Sequence, residues 1–164
     1  MALLTIRKDE DPILRKVSRP VEKFDEKLSQ LAQDMIDTML SNEGVGLAGV
    51  QVGKLWRIIT YDQHNEEGSF VMINPVIKQA SGSCKDYEAC LSVTETYGLV
   101  ERPSEITVAY QDLDGNHQEL TADENLSRIL CHEIDHLDGV LFIDKMIPEP
   151  DEDEDPEEPI AEEA

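Results

Sequence analysis

The chain has 164 residues, 14 of them basic and 36 acidic, for a net charge of −22. That charge opposes broad contact with a phosphate backbone or an anionic membrane. No apolar run of about eighteen residues could span a bilayer, the start has no leader pattern, and three cysteines make no disulfide framework, so we expect one domain in a reducing compartment, the cytoplasm or an organelle stroma or matrix.

In chain order, the first strong element is a helix from about Asp25 to Asn42. Leu28, Leu31, Ala32, Met35, Ile36, Met39 and Leu40 recur at helical spacing and form one apolar stripe. Gly44 is a suitable stop. The glycine-rich run Gly44-Val45-Gly46-Leu47-Ala48-Gly49-Val50-Gln51 follows, allowing close backbone approach and bringing one amide side chain. It lacks the lysine and the preceding strand of a phosphate loop, which argues against nucleotide binding. Strands are expected at Arg57–Tyr61, Phe70–Asn74 and Val76–Lys78, the last two separated by Pro75. Ile106–Gln111 and His117–Thr121 flank Asp114-Gly115, a hairpin signal. A second helix is expected from about Glu124 to Leu137, with Thr121 and Glu124 at capping-box spacing, Asp123 as a rival cap and Gly139 as the stop. Short strands joined by turns point to antiparallel sheets.

Residues 1–146 therefore read as the folded domain. Residues 147–164 carry ten acidic and no basic side chains, and without them the net charge is −12. Dense like charge with several prolines reads as a disordered, solvated tail.

The sharpest chemical signal is His132-Glu133-Ile134-Asp135-His136. On a helix, two histidines four apart differ by about 40°, so both rings can face one ion, with Glu133 on the same side. Two imidazoles and an acid facing an apolar interior are costly to bury unpaired, and a metal removes that cost. A catalytic site needs a third protein ligand. Cys84, Cys90, Cys131 and a downstream acid are the candidates, and no histidine follows His136. Cys90, between an acid and an apolar run, ranks first by local order. Cys84 reads as a loop residue and Cys131 as a core or surface thiol. His64 and His117 read as solvated surface residues.

Taken together, GVGLAGVQ, EACLS and HEIDH resemble the three signature motifs of the peptide deformylases, in the right order and at fitting separations. The likeness extends through LSRILCHEIDHLDGVLFIDKM and covers roughly residues 5 to 146. The resemblance implies an α+β fold, with small antiparallel sheets packed around a central C-terminal helix carrying the HExxH motif and a long N-terminal helix. It implies a hydrolase that removes the formyl group from the N-terminal formylmethionine of new polypeptides, with the ribosome as a candidate partner. Carried over, it makes Cys90, His132 and His136 the metal ligands and Glu133 the acid and base. Gln51 and the backbone N–H of Leu91 become oxyanion donors. Val45, Gly46, Glu88 and Ala89 are placed at the peptide groove. Glu88 would pair with Arg102 behind the site, and Asp135 becomes a supporting residue. The family usually works with ferrous iron, and zinc, nickel or cobalt can take the same ligands.

This chain departs from the family pattern with Gly49-Val50 in place of Ala-Pro, Ala89 in place of Gly, and Thr94 in place of Pro. It also has the acidic segment where many members continue into a C-terminal helix. Bacterial, organellar and phage origins all fit. Two rival readings are a zinc endopeptidase with a distal third ligand and a non-catalytic binding protein that kept the fold.

Overall fold

A strand buried on both faces orders the molecule. The computed structural model describes residues 2–149. In the strand β2 (Ile58–Asp62), Ile58 joins one apolar core while Ile59 and Tyr61 join another on the opposite face, as the two-residue period of a strand requires. The helix α1 (Glu26–Ser41) covers the first face through Leu28, Ala32, Met35 and Met39. The helix α2 (Glu124–Leu137) covers the second through Ile129, Leu130, Ile134 and Leu137.

The sheet between them has five strands. β1 (Gly46–Ala48) pairs with β2, which pairs with β3 (Ser69–Ser81), then β6 (Glu105–Gln111) and β7 (His117–Asp123), all antiparallel. A second antiparallel sheet has the order β4 (Cys84–Cys90), β5 (Val93–Arg102) and β8 (Met146–Ile147). Its small core holds Leu14, Val93, Val100, Leu141 and Phe142. The expected α+β architecture, with HEIDH on the late helix, is what the chain adopts.

Both helices lie within a residue of their expected limits, because their ends carry local signals. Asp25 Oδ1 accepts the Leu28 N–H at 3.1 Å, an ordinary N-cap. At the other end of α1 the Gly44 N–H reaches the Met39 carbonyl at 2.9 Å. The left-handed position there is Glu43, at φ 57°, and not Gly44. Gly44 answers to space instead, since a Cβ would come within 2.8 Å of Leu91 Cδ1. α2 ends as anticipated, with Gly139 at φ 75° and the Val140 N–H on the Asp135 carbonyl at 3.0 Å. The expected capping box is absent. Asp123 takes the N-cap position without a side-chain cap bond, and Thr121 Oγ1 meets Thr107 Oγ1 across the sheet at 3.0 Å.

The strands differ more from expectation. The two runs flanking Pro75 form the single strand β3. Its register shifts between Ile73 and Val76, and Asn74 sits at φ 52°. The proline, which has no N–H to donate, falls in this bulge. Asn74 holds it by accepting the Val21 N–H at 2.9 Å and donating to Gln111 Oε1 at 2.8 Å. The β4–β5 hairpin was not anticipated, and Cys84 begins a strand and not a loop. In β4 only Glu88 is fully buried, so the strand shows no apolar alternation to read.

The irregular N-terminal segment is tied down by backbone bonds. The Arg7 N–H donates to the Gln51 carbonyl at 2.7 Å and the Asp9 N–H to the Ser92 carbonyl at 2.6 Å. Near the other end, Met146 and Ile147 pair with Val100 and Leu99, so ordered structure runs past the domain limit expected at residue 146. Residues 150–164 of the acidic segment lie outside the described residues. Among those described, no helix is long and apolar enough to cross a membrane.

Leu130 is fully buried where α2 meets the five-stranded sheet. Leu130→Ala should lower unfolding free energy by about 2–5 kcal/mol, measured by urea denaturation of chelator-treated protein.

Candidate metal centre

α2 has almost no solvent face. Every residue from Ser127 to Ile134 is buried, as are His136 and Leu137. Three ionisable groups on it, His132, Glu133 and His136, are therefore enclosed, at 8%, 4% and 1% exposure. Their geometry explains how that is tolerated. The ring centroids of His132 and His136 lie 5.0 Å apart. Cys90, at the end of β4, brings its Sγ to 3.3 Å from His136 Nε2. One donor atom from each of Cys90, His132 and His136 falls within 4.8 Å of the others. A sulfur and a nitrogen sharing one tetrahedral zinc-sized ion would lie roughly 3.5 Å apart, so this soft, mixed donor set fits a divalent transition metal.

The electrostatics agree with that fit. Glu88 Oε1 lies 2.9 Å from His132 Nδ1, which turns the other ring nitrogen toward the cluster. Burial disfavours a charge on His132, but the Cys90 sulfur and the Glu88 carboxylate outweigh it and raise its pKa to about 10. The same two groups that favour a proton there favour a metal cation in its place. His136 moves the other way, well below its ordinary value, through burial and then the neighbouring His132 charge. Burial raises Glu133 to about 7, partly offset by His132. Among the described residues, Glu133 Oε1 has no hydrogen-bond partner.

Glu88 is itself the hub of a buried ion network. Arg102 donates to its two oxygens at 2.8 and 2.9 Å, and Arg128 Nη1 donates to Oε2 at 2.7 Å. Arg102 also pairs with Asp135 at 2.7 Å, and Asp135 with Lys145 at 3.0 Å. Burial opposes ionisation of Glu88, yet the Arg102 and His132 hydrogen bonds hold its pKa far below the ordinary carboxylate range.

Gln51 is the third part of the site. Its Oε1 accepts the Ala48 N–H at 2.9 Å, which fixes the amide so that Nε2 faces Ser92 Oγ at 3.0 Å and Cys90 Sγ at 3.6 Å. Gly46 passes directly over Glu133, where a Cβ would lie 2.5 Å from Oε2. A pocket of about 350 Å³ opens above this floor, lined by Val45, Gly46, Ala89 and Leu91 with Tyr87 and Ile129 at its walls.

The sequence-derived residues thus converge. Cys90, His132, His136, Glu133, Gln51, Glu88, Val45, Gly46, Ala89 and Leu91 all fall in or against one pocket, and the Glu88–Arg102 pair is present. Cys84 and Cys131 do not join it, being exposed and buried in the core respectively. Sequence reasoning missed Arg128, which also holds the carbonyls of Cys84 and Val100 at 2.7 and 3.0 Å. Its place one turn before His132 was the available signal. Ser92, and Phe142 stacked on His132, were also missed. The departures have local reasons. Thr94 donates its N–H to Asp9 at 3.0 Å, which a proline could not do. Val50 is fully buried in the core, and a Cβ at Gly49 would press on the Lys54 carbonyl at 2.8 Å.

The network gives a signed prediction. With its folded pKa depressed, Glu88 contributes stability that is complete above its ordinary pKa of 4.5 and is lost as pH falls toward the folded value. Glu88→Gln leaves two buried guanidiniums without their carboxylate and should cost about 3 kcal/mol at pH 7. The gap from wild type should narrow as pH drops below about 4.5, read by urea denaturation of chelated protein at several pH values.

The family model described as polypeptide deformylase matches residues 3–152. A peptide deformylase of Caldicellulosiruptor bescii is 52% identical over 147 residues, covering 90% of this chain and 87% of that protein. The crystal structure of a peptide deformylase from Thermotoga maritima superposes with a TM-score of 0.87 at 40% identity, covering 90% of this chain and 100% of that one. A Met-Ala-Ser-bound class I type b peptide deformylase from Acinetobacter baumannii gives a TM-score of 0.84 at 34% identity, over 88% of this chain and 99% of that one. With that match over most of its length, joined to the convergence of all three motifs on one pocket, the chain belongs to the polypeptide deformylase family.

Proposed function

We propose that this chain is a metal-dependent amide hydrolase that removes the formyl group from the N-terminal formylmethionine of newly made polypeptides, working in the cytoplasm or an equivalent compartment. The observation carrying the reading is the meeting of Cys90, His132 and His136 donors within 4.8 Å beneath a narrow pocket. Family membership supports it, and so does the tripeptide named in the Acinetobacter baumannii structure. These three residues would hold one divalent ion, with ferrous iron proposed as native and zinc, nickel or cobalt as alternatives. Bound there, such an ion supplies Lewis-acid polarisation and an activated water at neutral pH.

The chain's own residues perform the rest. Glu133 is the proton carrier, taking a proton from water and returning it to the leaving amine. Its enclosure raises its pKa toward neutrality, and a cation beside it lowers that value again, so both protonation states stay accessible. Gln51 Nε2, fixed by the Ala48 N–H, and the Leu91 N–H would donate to the oxygen as it gains charge, a contribution of about 3 kcal/mol for one such donor. Val45, Gly46 and Ala89 would guide the peptide backbone. Gly46 seals the pocket over Glu133, leaving room for the single hydrogen of a formyl group more readily than for a bulkier acyl group.

A zinc endopeptidase would recruit a distal acid or histidine as third ligand, whereas among the described residues the third donor beside the two histidines is the Cys90 sulfur. On formyl-Met-Ala-Ser, anaerobically prepared protein should release formate. Glu133→Ala should cut kcat/KM by about 10²–10⁴-fold with metal content unchanged. Cys90→Ser should lower metal occupancy and deformylation together, with elemental analysis naming the ion. Persistent turnover in Glu133→Ala would remove the acid-base role. A second expectation concerns Gly46. Gly46→Ala should displace the Glu133 carboxylate and lower kcat at least about tenfold, while metal stoichiometry stays at the wild-type value.

A further inference from the structure

A second cavity, of about 530 Å³, shares no lining residue with the pocket over Cys90 and the two histidines. Val21, Leu28 and Leu31 give it an apolar floor, with Trp56, Lys23, Lys27 and Lys54 around them. Val21 and Leu28 belong to the core under α1, so packing fixes the floor. Backbone bonds fix the walls. The Arg19 N–H donates to the Leu55 carbonyl, the Arg57 N–H to the Arg19 carbonyl and the Lys54 N–H to the Gly49 carbonyl, each at 2.9 Å. Asn74 holds Val21 through its N–H and its carbonyl, at 2.9 and 3.0 Å. A cavity of this size and set shape suits a small molecule.

Its chemistry differs from the rest of the acidic surface. Among the described residues, six of the 14 bases join ion pairs. Of the eight left, Arg19, Lys23, Lys27 and Lys54 gather here, all exposed. Arg19 stands over the Trp56 ring, 4.8 Å from its centre, and Trp56 is still 39% exposed. Against these four cations stand two carboxylates, Glu22 and Asp25, and Asp25 is turned to the Leu28 N–H that it caps. The end of α1 is thereby closed, and the cavity's character comes from its side chains.

The net charge of −22 repels a long polyanion. Salt limits that repulsion to a reach of about 8 Å, so a compact anion seated among the lysines meets their field and little of the rest. Lysine ammoniums are point charges with rotatable donors that suit phosphate oxygens, and an indole takes a flat heterocycle by stacking. We propose that this cavity binds a nucleoside monophosphate, with the base against Trp56 and the phosphate among Lys23, Lys27 and Lys54. The Gly44–Gln51 run plays no part in it, and the site stands apart from deformylation.

Trp56 is the single tryptophan of the chain, so its fluorescence reports the site directly. Adenosine monophosphate titrated into zinc-loaded full-length protein, with excitation outside the adenine absorbance, should quench saturably with a Kd below about 1 mM. Adenosine, lacking the phosphate, should bind at least about tenfold more weakly. Raising salt from about 0.02 to about 0.5 M should weaken the monophosphate and leave adenosine unchanged. Lys27→Gln with Lys54→Gln should lower affinity for the monophosphate about tenfold, and Lys27→Arg with Lys54→Arg should restore most of it. No saturable quenching by the monophosphate up to about 10 mM, or equal affinity for it and adenosine, overturns the proposal. So does quenching by a single-stranded RNA hexamer with none by the monophosphate, which marks a nucleic-acid surface instead.

Discussion

The structure depends on one buried carboxylate. Glu88 receives two guanidiniums and faces an imidazole, at exposure low enough that none of these charges could stand alone. Through them it joins β4, β5 and α2, three elements from distant parts of the chain. Cys90 lies two residues beyond it on the same strand, and His132 lies directly across. The position of the sulfur relative to the rings is therefore set by an ion network and not by apolar packing alone. That order of causes matters, because buried ion networks tolerate little displacement while apolar contacts can slide.

A second constraint comes from the two cores. The five-stranded sheet is covered by α1 on one face and α2 on the other, which leaves α2 enclosed between that sheet and the smaller one. Enclosure is costly for a helix carrying two histidines and a glutamate. It is also what makes those groups useful, since a low-dielectric setting strengthens every charge interaction inside it. Among the described residues one Glu133 oxygen has no partner, and the donor atoms of Cys90, His132 and His136 lie within 4.8 Å of one another, an arrangement a shared cation would fit.

How far the sequence revealed this differs by element. α1 and α2 were legible to within a residue because stripes of Leu, Met and Ile, an Asp cap and a terminal glycine are local signals. HEIDH was legible because two side chains one turn apart need no tertiary information to share a face. β4 and β5 were not, because β4 buries a charge where an apolar residue would advertise a strand. Pro75 looked like a break, since the bulge that accommodates it depends on Asn74 reaching Val21 and Gln111 far along the chain. Cys90 could be ranked but not chosen by residue chemistry alone, as its partners lie over forty positions away. Arg128 and Ser92 escaped notice for the same reason: each acts through contacts that only the folded chain creates.

The early segment of the chain has a role its irregular backbone conceals. Residues 7 and 9 grip the main chain of Gln51 and of Ser92, the amide donor and the hydroxyl it faces. This strap thus braces the Gln51 amide from behind, and neither Arg7 nor Asp9 lines the pocket itself. Trimming or remodelling residues 2–12 would loosen the backbone that carries Gln51 and Ser92 before it disturbed either sheet. This irregular segment is in that sense part of the frame around the pocket, fastened to it from the outside.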